Sequence, residues 1–317
     1  MKSFSIIIPV YGNEKNLPTT IPYIIQNLGL FSQYKVEIIM ICDGSPDNSY
    51  QIMKEYQVMY PQLIKIAKFT RNFGQGSAVH CGIKMAQGDV IGVISADLQD
   101  PFELFVDMLK AWEEGYKFVI GTRKKRPEKG FGGWASRTMH KFINKYINHD
   151  YPTGGFDFYL MDREMANAYV SADAPNGSMQ LLMLWLGYKH KTIEYDRKER
   201  IAGKSTWNFK RKINLAIGLI VTYSNMPLRM FLIPSAFFGI LSFISIISSI
   251  LSFVLLNVIW GLVFGGLFLV TSGFSFVLLA IVIAGEYIWR IQELAKPIPR
   301  YVLEESVNEI DWSVSDE

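Results

Sequence analysis

Polar side chains that could bind a metal follow an apolar run in the segment VIGVISADLQDP. Asp97, Gln99 and Asp100 stand just after that run. A carboxylate at this point can hold a hard divalent cation, which in turn binds a diphosphate. Asp97 is therefore a candidate metal ligand. Asp100 stands directly before Pro101, a pair that is typical of a helix start, so we interpret Asp100 as a helix cap.

A second acid, Asp43, follows another apolar run in the segment CDGSPDNS. Its carboxylate could accept hydrogen bonds from a ribose hydroxyl or from the N–H of a base. The same residues also form an ordinary Asp-Gly turn. The local sequence leaves both interpretations open.

A third acid, Asp157, lies between Phe156 and Phe158 in GGFDFYLMDR. An acid among aromatic side chains can have a raised pKa and act as a general base. The alternative is a loop carboxylate that pairs with a nearby arginine. The residues alone do not separate these two interpretations.

Basic residues cluster after the last predicted strand and again near residue 200. Arg123 begins the run RKKR, and Arg200 lies in ERIAGKSTW. Arginine binds phosphate through two parallel hydrogen bonds. We interpret Arg123 and Arg200 as phosphate-binding residues, and Lys124 and Lys125 as solvated surface.

Alternating strand and helix patterns must position these side chains. The apolar runs FSIIIPV, VEIIMIC, LIKIAKF, VIGVIS and KFVIGT predict strands. Between them, residues 16–30 and 76–85 and the segment DPFELFVDMLKAWEEG predict helices. This order predicts an α/β domain with a mostly parallel sheet and right-handed crossovers. Ligands of such sheets bind beyond the carboxyl ends of the strands, where Asp43, Asp97 and Arg123 fall.

The second half of the chain has membrane character. Residues 230–285 contain no charged residue and no histidine. About 20 apolar residues span a bilayer, so we predict two transmembrane helices at about 231–255 and 259–285 rather than a buried hairpin of a soluble protein. Residues 210–223 predict an amphipathic helix on the membrane surface. Lys and Arg flank the hairpin on both sides, which predicts that both termini are cytoplasmic.

The predicted organisation is therefore a catalytic α/β domain over residues 1–208, a juxtamembrane helix over 209–230, the transmembrane hairpin over 231–285 and a cytoplasmic C-terminal tail over 286–317.

Together these segments resemble glycosyltransferase family 2. The resemblance is to its bacterial and phage polyprenyl-phosphate glycosyltransferases, of the bactoprenol glucosyltransferase type, and to the catalytic part of dolichyl-phosphate mannose synthase. The matching pieces follow the family's order across residues 5–302. They are SIIIPVYGNEKNLP, CDGSPDNS, RNFGQGSAVHCGI, GDVIGVISADLQDP, GTR, GFDFYLMDRE, ERIAGKS, PLRM and GEYIWRIQELAKPIPRYV.

The resemblance implies a GT-A-type, Rossmann-like fold, Mg²⁺ or Mn²⁺ as cofactor and inversion at the anomeric carbon. It implies a UDP- or GDP-sugar donor, polyprenyl (undecaprenyl) phosphate as acceptor and a place in the inner (cytoplasmic) membrane, in contact with membrane lipid. By position, the donor-binding residues would be Pro9, Tyr11, Glu14, Asp43, Ser95, Ala96 and Asp97. The metal would be held by Asp97 and Gln99. The phosphate-binding residues would be Arg123, Arg137, Arg200 and Lys204, and the base would be Asp157.

The sequence departs from the family pattern at three positions. Cys42, Ser95 and Asn13 stand where the family usually has acids, although Glu14 follows Asn13. The loss of a metal carboxylate at position 95 lowers the ligand charge. Two alternatives stay open: a glycosyltransferase that acts on another lipid, such as a diacylglycerol lipid, and a catalytically inactive membrane scaffold, which Cys42 and Ser95 suggest. Related proteins suggest a homotetramer, no nucleic-acid partner is expected, and the sugar is not specified by the sequence.

Overall fold

The computed structural model describes residues 1–124, 149, 151–152, 155–172, 178–196 and 299–307, with isolated positions between 266 and 291. The chain divides into two compact units. One consists of Met1–Trp207 together with Ile298–Glu317, and the other is Asn208–Pro297. The candidate site residues that the structure describes all lie in the first unit.

The described residues of the first unit form eight strands in one sheet. They are β1 (Lys2–Val10), β2 (Tyr34–Cys42), β3 (Ile64–Phe69), β4 (Val90–Val93), β5 (Phe118–Arg123), β6 (Phe158–Asp162), β7 (His190–Tyr195) and β8 (Leu303–Val307). Their order across the sheet is β7-β5-β6-β4-β1-β2-β3-β8. Strand β1 pairs in parallel with β2 and β4, β2 with β3, and β5 with β7. Strands β6 and β8 run antiparallel to their neighbours.

Helices connect these strands. They are α1 (Leu17–Gln26), α2 (Ser49–Met59), α3 (Gln75–Met85), α4 (Leu104–Glu113), α5 (Arg163–Ser171) and α6 (Met179–Trp185), with a short 3₁₀ helix at Leu28–Phe31. The five strands predicted from apolar runs are β1 to β5, and the three predicted helices correspond to α1, α3 and α4. The mostly parallel α/β sheet is therefore confirmed.

The central strands form because their apolar runs are buried on both faces of the sheet. On one face, Phe4 of β1 packs edge-to-face against Phe31 and Phe105, with ring centroids 5.5 and 5.3 Å apart. On the other face, α3 approaches so closely that a Cβ added at Gly82 would lie 2.5 Å from Cγ2 of Ile7. The sheet is thus covered by helices on both sides, which leaves its carboxyl edge for ligands.

Strand β6 was not predicted, and it changes the sheet order. It lies between β4 and β5 and is antiparallel to both, with Tyr159 opposite Val93 and Phe158 opposite Gly121. Because of this direction, β6 begins at the edge of the sheet where β4 and β5 end. The residue before it, Asp157, is consequently brought to that edge.

Strand β8 was not predicted either, because its segment was assigned to the C-terminal tail without secondary structure, and the sequence pattern also did not predict β7, α5 and α6. Strand β8 pairs antiparallel with β3. Exposed ion pairs reinforce this edge, with Nζ of Lys68 2.8 Å from Oε1 of Glu304 and Nζ of Lys54 2.7 Å from Oε1 of Glu305.

The predicted membrane segments lie outside the described residues, apart from isolated helical positions between 266 and 291. Within the part of the chain that the structure describes, no helix has the length and apolar character needed to cross a membrane.

Candidate active site

The predicted metal residues lie on a tight turn after β4. Asp97 and Gln99 are nearly buried, with 8% and 7% of their surface exposed. The hydroxyl of Ser95 donates to Oδ1 of Asp97 at 2.9 Å, and the backbone N–H of Gln99 donates to the same oxygen at 3.3 Å. Leu98, between them, has a left-handed backbone with φ of 51°. The turn therefore brings one carboxylate and one amide side chain together at the carboxyl edge of the sheet.

Asp100 does not cap a helix, so that interpretation was wrong. Helix α4 begins at Leu104, and its N-cap residue is Glu103. The Asp100 carboxylate is instead buried, at 1% exposure. The Ser95 hydroxyl lies 2.9 Å from its Oδ2, and the Tyr195 hydroxyl donates to its Oδ1. The Asp-Pro pair suggested that the Asp100 carboxylate faces a helix start. A tertiary contact with Tyr195 of β7 orients it instead.

Tyr195 links the metal turn to the predicted phosphate-binding arginine. Burial, and then the charge of Asp100, raises the pKa of Tyr195, so its hydroxyl stays protonated and donates. Arg123 is hydrogen-bonded to Tyr195. Burial opposes the charge on Arg123, but that bond and the Asp100 and Asp157 carboxylates keep its pKa above the ordinary value. The arginine is therefore a fixed positive charge at the sheet edge.

Asp157 lies beside this arginine, with its Oδ2 3.3 Å from Nη2 of Arg123. Both side chains are partly exposed, at 41% and 36%. This is the arginine pairing that the sequence left open as one interpretation. The same contact puts the carboxylate next to a predicted phosphate-binding group, which is where a general base for a phosphate acceptor would have to lie. A continuous polar chain thus runs from Ser95 through Asp100, Tyr195 and Arg123 to Asp157.

The other oxygen of Asp157 is held by a residue that sequence reasoning missed. Nε2 of Gln180, in α6, donates to Oδ1 of Asp157 at 3.2 Å. The Tyr151 hydroxyl donates to Oε1 of Gln180 at 2.6 Å, which orients the amide so that its NH₂ group faces Asp157. Burial raises the pKa of Tyr151 to about 12, so this donor stays protonated. Neither Gln180 nor Tyr151 carries a sequence signal, since both act only through contacts that the fold creates.

Asp43 lies at the end of β2 and is 3% exposed. Its two oxygens accept backbone N–H bonds from Phe73 at 2.6 Å and Gly74 at 2.9 Å. Burial raises the pKa of Asp43 despite these bonds. Gly44 has φ of +59°, and a Cβ there would lie 2.2 Å from the carbonyl carbon of Arg71, so only glycine fits. The Asp43 turn is therefore joined tightly to the loop after β3, and its contact with a nucleoside stays a prediction.

The loop after β1 is joined to the loop after β2. The N–H of Gly12 donates to Oγ of Ser45 at 2.8 Å, and the N–H of Glu14 donates to Oδ2 of Asp47 at 3.1 Å. The Glu14 carboxylate accepts from the backbone N–H of Asn48 at 3.2 Å. Glu14, predicted to bind the donor, therefore has a structural contact at the start of α2.

The remaining donor-binding candidates lie around these loops. Pro9 is in β1 and Tyr11, two residues on, is 48% exposed. The Ala96 carbonyl accepts from Oγ1 of Thr20 at 2.8 Å, which anchors the metal turn to α1. Arg137, Arg200 and Lys204 lie outside the described residues.

The chemistry of the Asp97 turn fits a divalent metal. The described residues contain no group of three or more His, Cys, Asp or Glu side chains that could hold one. Mg²⁺ is nevertheless commonly bound by only one or two carboxylates, with substrate phosphates and water as the other ligands. The oxygens of Asp97 and Gln99 suit a site of this kind, in which a diphosphate supplies further ligands to the metal.

A mostly parallel sheet of this order, with carboxylates and an arginine at its carboxyl edge, has the architecture of a GT-A-type domain. The sequence profile of glycosyl transferase family 2 matches residues 5–170, and the chain belongs to this family. It is therefore a glycosyltransferase, as the resemblance of its motifs implied.

Its relatives match almost from end to end. The chain is 33% identical over 312 residues to the uncharacterized glycosyltransferase YkcC of Bacillus subtilis, covering 96% of this chain and 94% of the relative. It is 31% identical over 312 residues to the bactoprenol glucosyl transferase of Shigella phage SfII, covering 95% and 97%. Among solved structures, it is similar to glucosyl-3-phosphoglycerate synthase from Mycobacterium tuberculosis with a TM-score of 0.47 and 16% identity, over 70% of this chain and 79% of that one. A structural likeness of that degree carries no information on ligands.

Proposed function

We propose that this glycosyltransferase moves a single sugar from a nucleotide-sugar, a UDP-sugar in the first place, to polyprenyl phosphate at the cytoplasmic face of a membrane. The observation that carries the proposal is the pair of Arg123 and Asp157, which lies at the same sheet edge as the Asp97 turn. The bactoprenol glucosyl transferases that match nearly the whole chain support undecaprenyl phosphate as the acceptor.

The donor side of the site consists of the Asp43 turn and the Asp97 turn. The Asp43 turn would receive the nucleoside, and Asp97 and Gln99 would hold Mg²⁺ or Mn²⁺. When bound, the divalent metal supplies charge neutralisation for the diphosphate leaving group. The protein's part is to hold Asp97 by the bonds from Ser95 and Gln99, so that its carboxylate is already oriented when the donor arrives.

The acceptor side consists of Arg123 and Asp157. A phosphate monoester has a second pKa of about 6, so near neutral pH part of the acceptor still carries a proton. Arg123 would bind the phosphate, and Asp157 would accept that proton as the acceptor oxygen attacks the anomeric carbon. The bond from the sugar to the diphosphate breaks as the new bond forms. A single displacement of this kind inverts the anomeric carbon.

The membrane location is supported by apolar residues in the second unit. Val270, Val277 and Ile291, separated by multiples of seven residues, are helical and 56%, 54% and 65% exposed. Positions seven apart lie on the same face of a helix. Val270 and Val277 lie within the uncharged stretch 230–285, and Ile291 lies six residues beyond its end. An outward-facing apolar stripe of this kind suits contact with lipid tails. We place both termini on the cytoplasmic side, as the Lys and Arg flanks predict.

The experiment is a transfer assay with full-length purified protein, Mg²⁺ or Mn²⁺, labelled UDP-glucose and undecaprenyl phosphate. We expect label in the lipid extract, in a product that is acid-labile and alkali-stable. Other UDP- and GDP-sugars in the same assay identify the sugar. The matched control is Asp97→Ala, which should abolish the metal-dependent signal.

Two outcomes would contradict the proposal. Label that moves only to a diacylglycerol lipid would indicate another acceptor. Absence of nucleotide release with every donor would favour an inactive membrane scaffold, the alternative suggested by Cys42 and Ser95.

A further inference from the structure

The chain that follows the predicted membrane spans returns to the catalytic unit. Residues 299–307, here called the return segment, include β8 and are part of the first unit. Besides the pairing of β8 with β3, two bonds lie nearer the site. The N–H of Thr70 donates to the Val302 carbonyl at 3.1 Å, and the hydroxyl of Ser77 lies 3.3 Å from the Arg300 carbonyl. The Thr70 bond holds the start of the connection between β3 and α3. At its end the Ser77 hydroxyl, which also lies 3.1 Å from the Phe73 carbonyl, brings α3 next to the return segment.

Tyr301 is the side chain that anchors the return segment. It is 9% exposed, and its ring stacks on Phe69 with centroids 4.7 Å apart and planes inclined by 13°. The ring of His80 packs edge-to-face against Tyr301, with centroids 6.0 Å apart. Burial lowers the pKa of His80 to about 3, so this neighbour is neutral and behaves as part of the apolar core.

The return segment contacts the loop of residues 70–74, and this loop supports the Asp43 turn. Phe73 packs edge-to-face on Phe69 with centroids 5.8 Å apart, so Phe69 contacts both Tyr301 and Phe73. The backbone N–H groups of Phe73 and Gly74 are the two donors to the Asp43 carboxylate. A short chain of direct contacts thus leads from Tyr301 through Phe69 and Phe73 to Asp43.

We infer that the return segment is a positioning element for the donor nucleotide, and that Tyr301 is its positioning residue. Tyr301 fixes the loop of residues 70–74, and that loop in turn fixes the Asp43 turn. The inference rests on the proposed function in one respect, namely that the Asp43 turn receives the nucleoside. Because the return segment follows the membrane spans in the chain, donor affinity depends on residues far beyond the family 2 match at 5–170.

The test compares Tyr301→Ala with Tyr301→Phe in the full-length protein. An aromatic pair contributes about 0.5–1.5 kcal/mol, so loss of the ring should raise the KM for UDP-glucose by roughly 2- to 13-fold. The KM for undecaprenyl phosphate should not change, because Arg123 ends β5 and Asp157 precedes β6, and strands β4, β1 and β2 lie between these strands and β3. Tyr301→Phe keeps the stacked ring and should stay within about twofold of the wild type.

The matched control is Tyr34→Ala. Tyr34 is also a buried tyrosine, at 5% exposure, but it lies at the amino end of β2 and contacts Trp112. Its loss should lower the melting temperature and leave the KM for UDP-glucose unchanged. If Tyr301→Ala does not fold, Tyr301→Leu keeps a bulky apolar side chain without the stacked ring and should still raise the donor KM.

Calorimetry of UDP binding to the wild type and to the Tyr301 variants tests the proposed nucleoside site and the role of Tyr301 separately. If the wild type does not bind UDP or GDP, the proposed nucleoside site is wrong. If the wild type binds and Tyr301→Ala binds equally well, or if both KM values rise together, Tyr301 is only structural and the inference is wrong.

Discussion

The most informative perturbation is Ser95→Asp, which restores the acid that the family usually has at the metal turn. The Ser95 hydroxyl lies 2.9 Å from a carboxylate oxygen of Asp97 and 2.9 Å from one of Asp100. The substitution therefore places a negative charge against two others that are almost buried. We expect it to destabilise the protein without metal and to strengthen the effect of metal.

The magnitude follows from Coulomb's law. Two like charges about 4 Å apart repel by about 4 kcal/mol at an effective dielectric constant of about 20. The introduced carboxyl can escape by binding a proton, which costs about 4 kcal/mol at pH 7 for an ordinary pKa of about 3.9. The free energy of unfolding should thus fall by roughly 2–4 kcal/mol without metal. The lower value applies if the turn rearranges or water enters and weakens the repulsion.

The assay is thermal unfolding of the full-length protein over a series of Mn²⁺ and Mg²⁺ concentrations. The control is Ser95→Asn, which has nearly the same shape and no charge. We expect the metal concentration at half-maximal stabilisation to fall about tenfold in Ser95→Asp, equivalent to about 1.4 kcal/mol, and not in Ser95→Asn. If the two variants respond alike to metal, position 95 does not face the ion and the assignment of this turn is wrong.

Three further predictions concern the acceptor side and the membrane. Asp157→Asn should impair kcat/KM for undecaprenyl phosphate severely at pH 6 and less at pH 8. The reason is that the acceptor phosphate, with a second pKa of about 6, has lost its proton at the higher pH. A mutant-to-wild-type ratio that is equal at both pH values would assign Asp157 to positioning rather than to proton transfer. Tyr195→Phe should lower the free energy of unfolding by about 1.5–3 kcal/mol in urea, because the buried Asp100 carboxylate loses a donor; a loss below about 0.5 kcal/mol would mean that water replaces the hydroxyl. A cysteine introduced at Asn257 should react with an impermeant thiol reagent from outside the cell, whereas one at Ser313 should not, because the Lys and Arg flanks predict a cytoplasmic location for both termini; the reverse labelling pattern would refute the topology.

The sequence alone determined the strands β1 to β5 and much of the site. Each of these strands is a continuous apolar run bounded by turn residues, and such runs are buried wherever they pair. Parallel strands then bring their carboxyl ends to one edge, which predicts that Asp43, Asp97 and Arg123 follow strands at the same edge of the sheet. Local chemistry and one topological rule were sufficient for these residues.

Only the tertiary structure decided how Asp157 meets Arg123. Strand β6 is a five-residue run, FYLMD, and periodicity cannot distinguish so short an apolar segment from a loop or a buried helix turn. Its place between β4 and β5 depends on the burial of the whole sheet, as does the pairing of β8 with β3. The partners Tyr195 and Gln180 come from distant segments, and their contacts have no local signature. Asp100 has a local preference for capping a helix, but hydrogen bonds with Ser95 and Tyr195 hold its carboxylate instead.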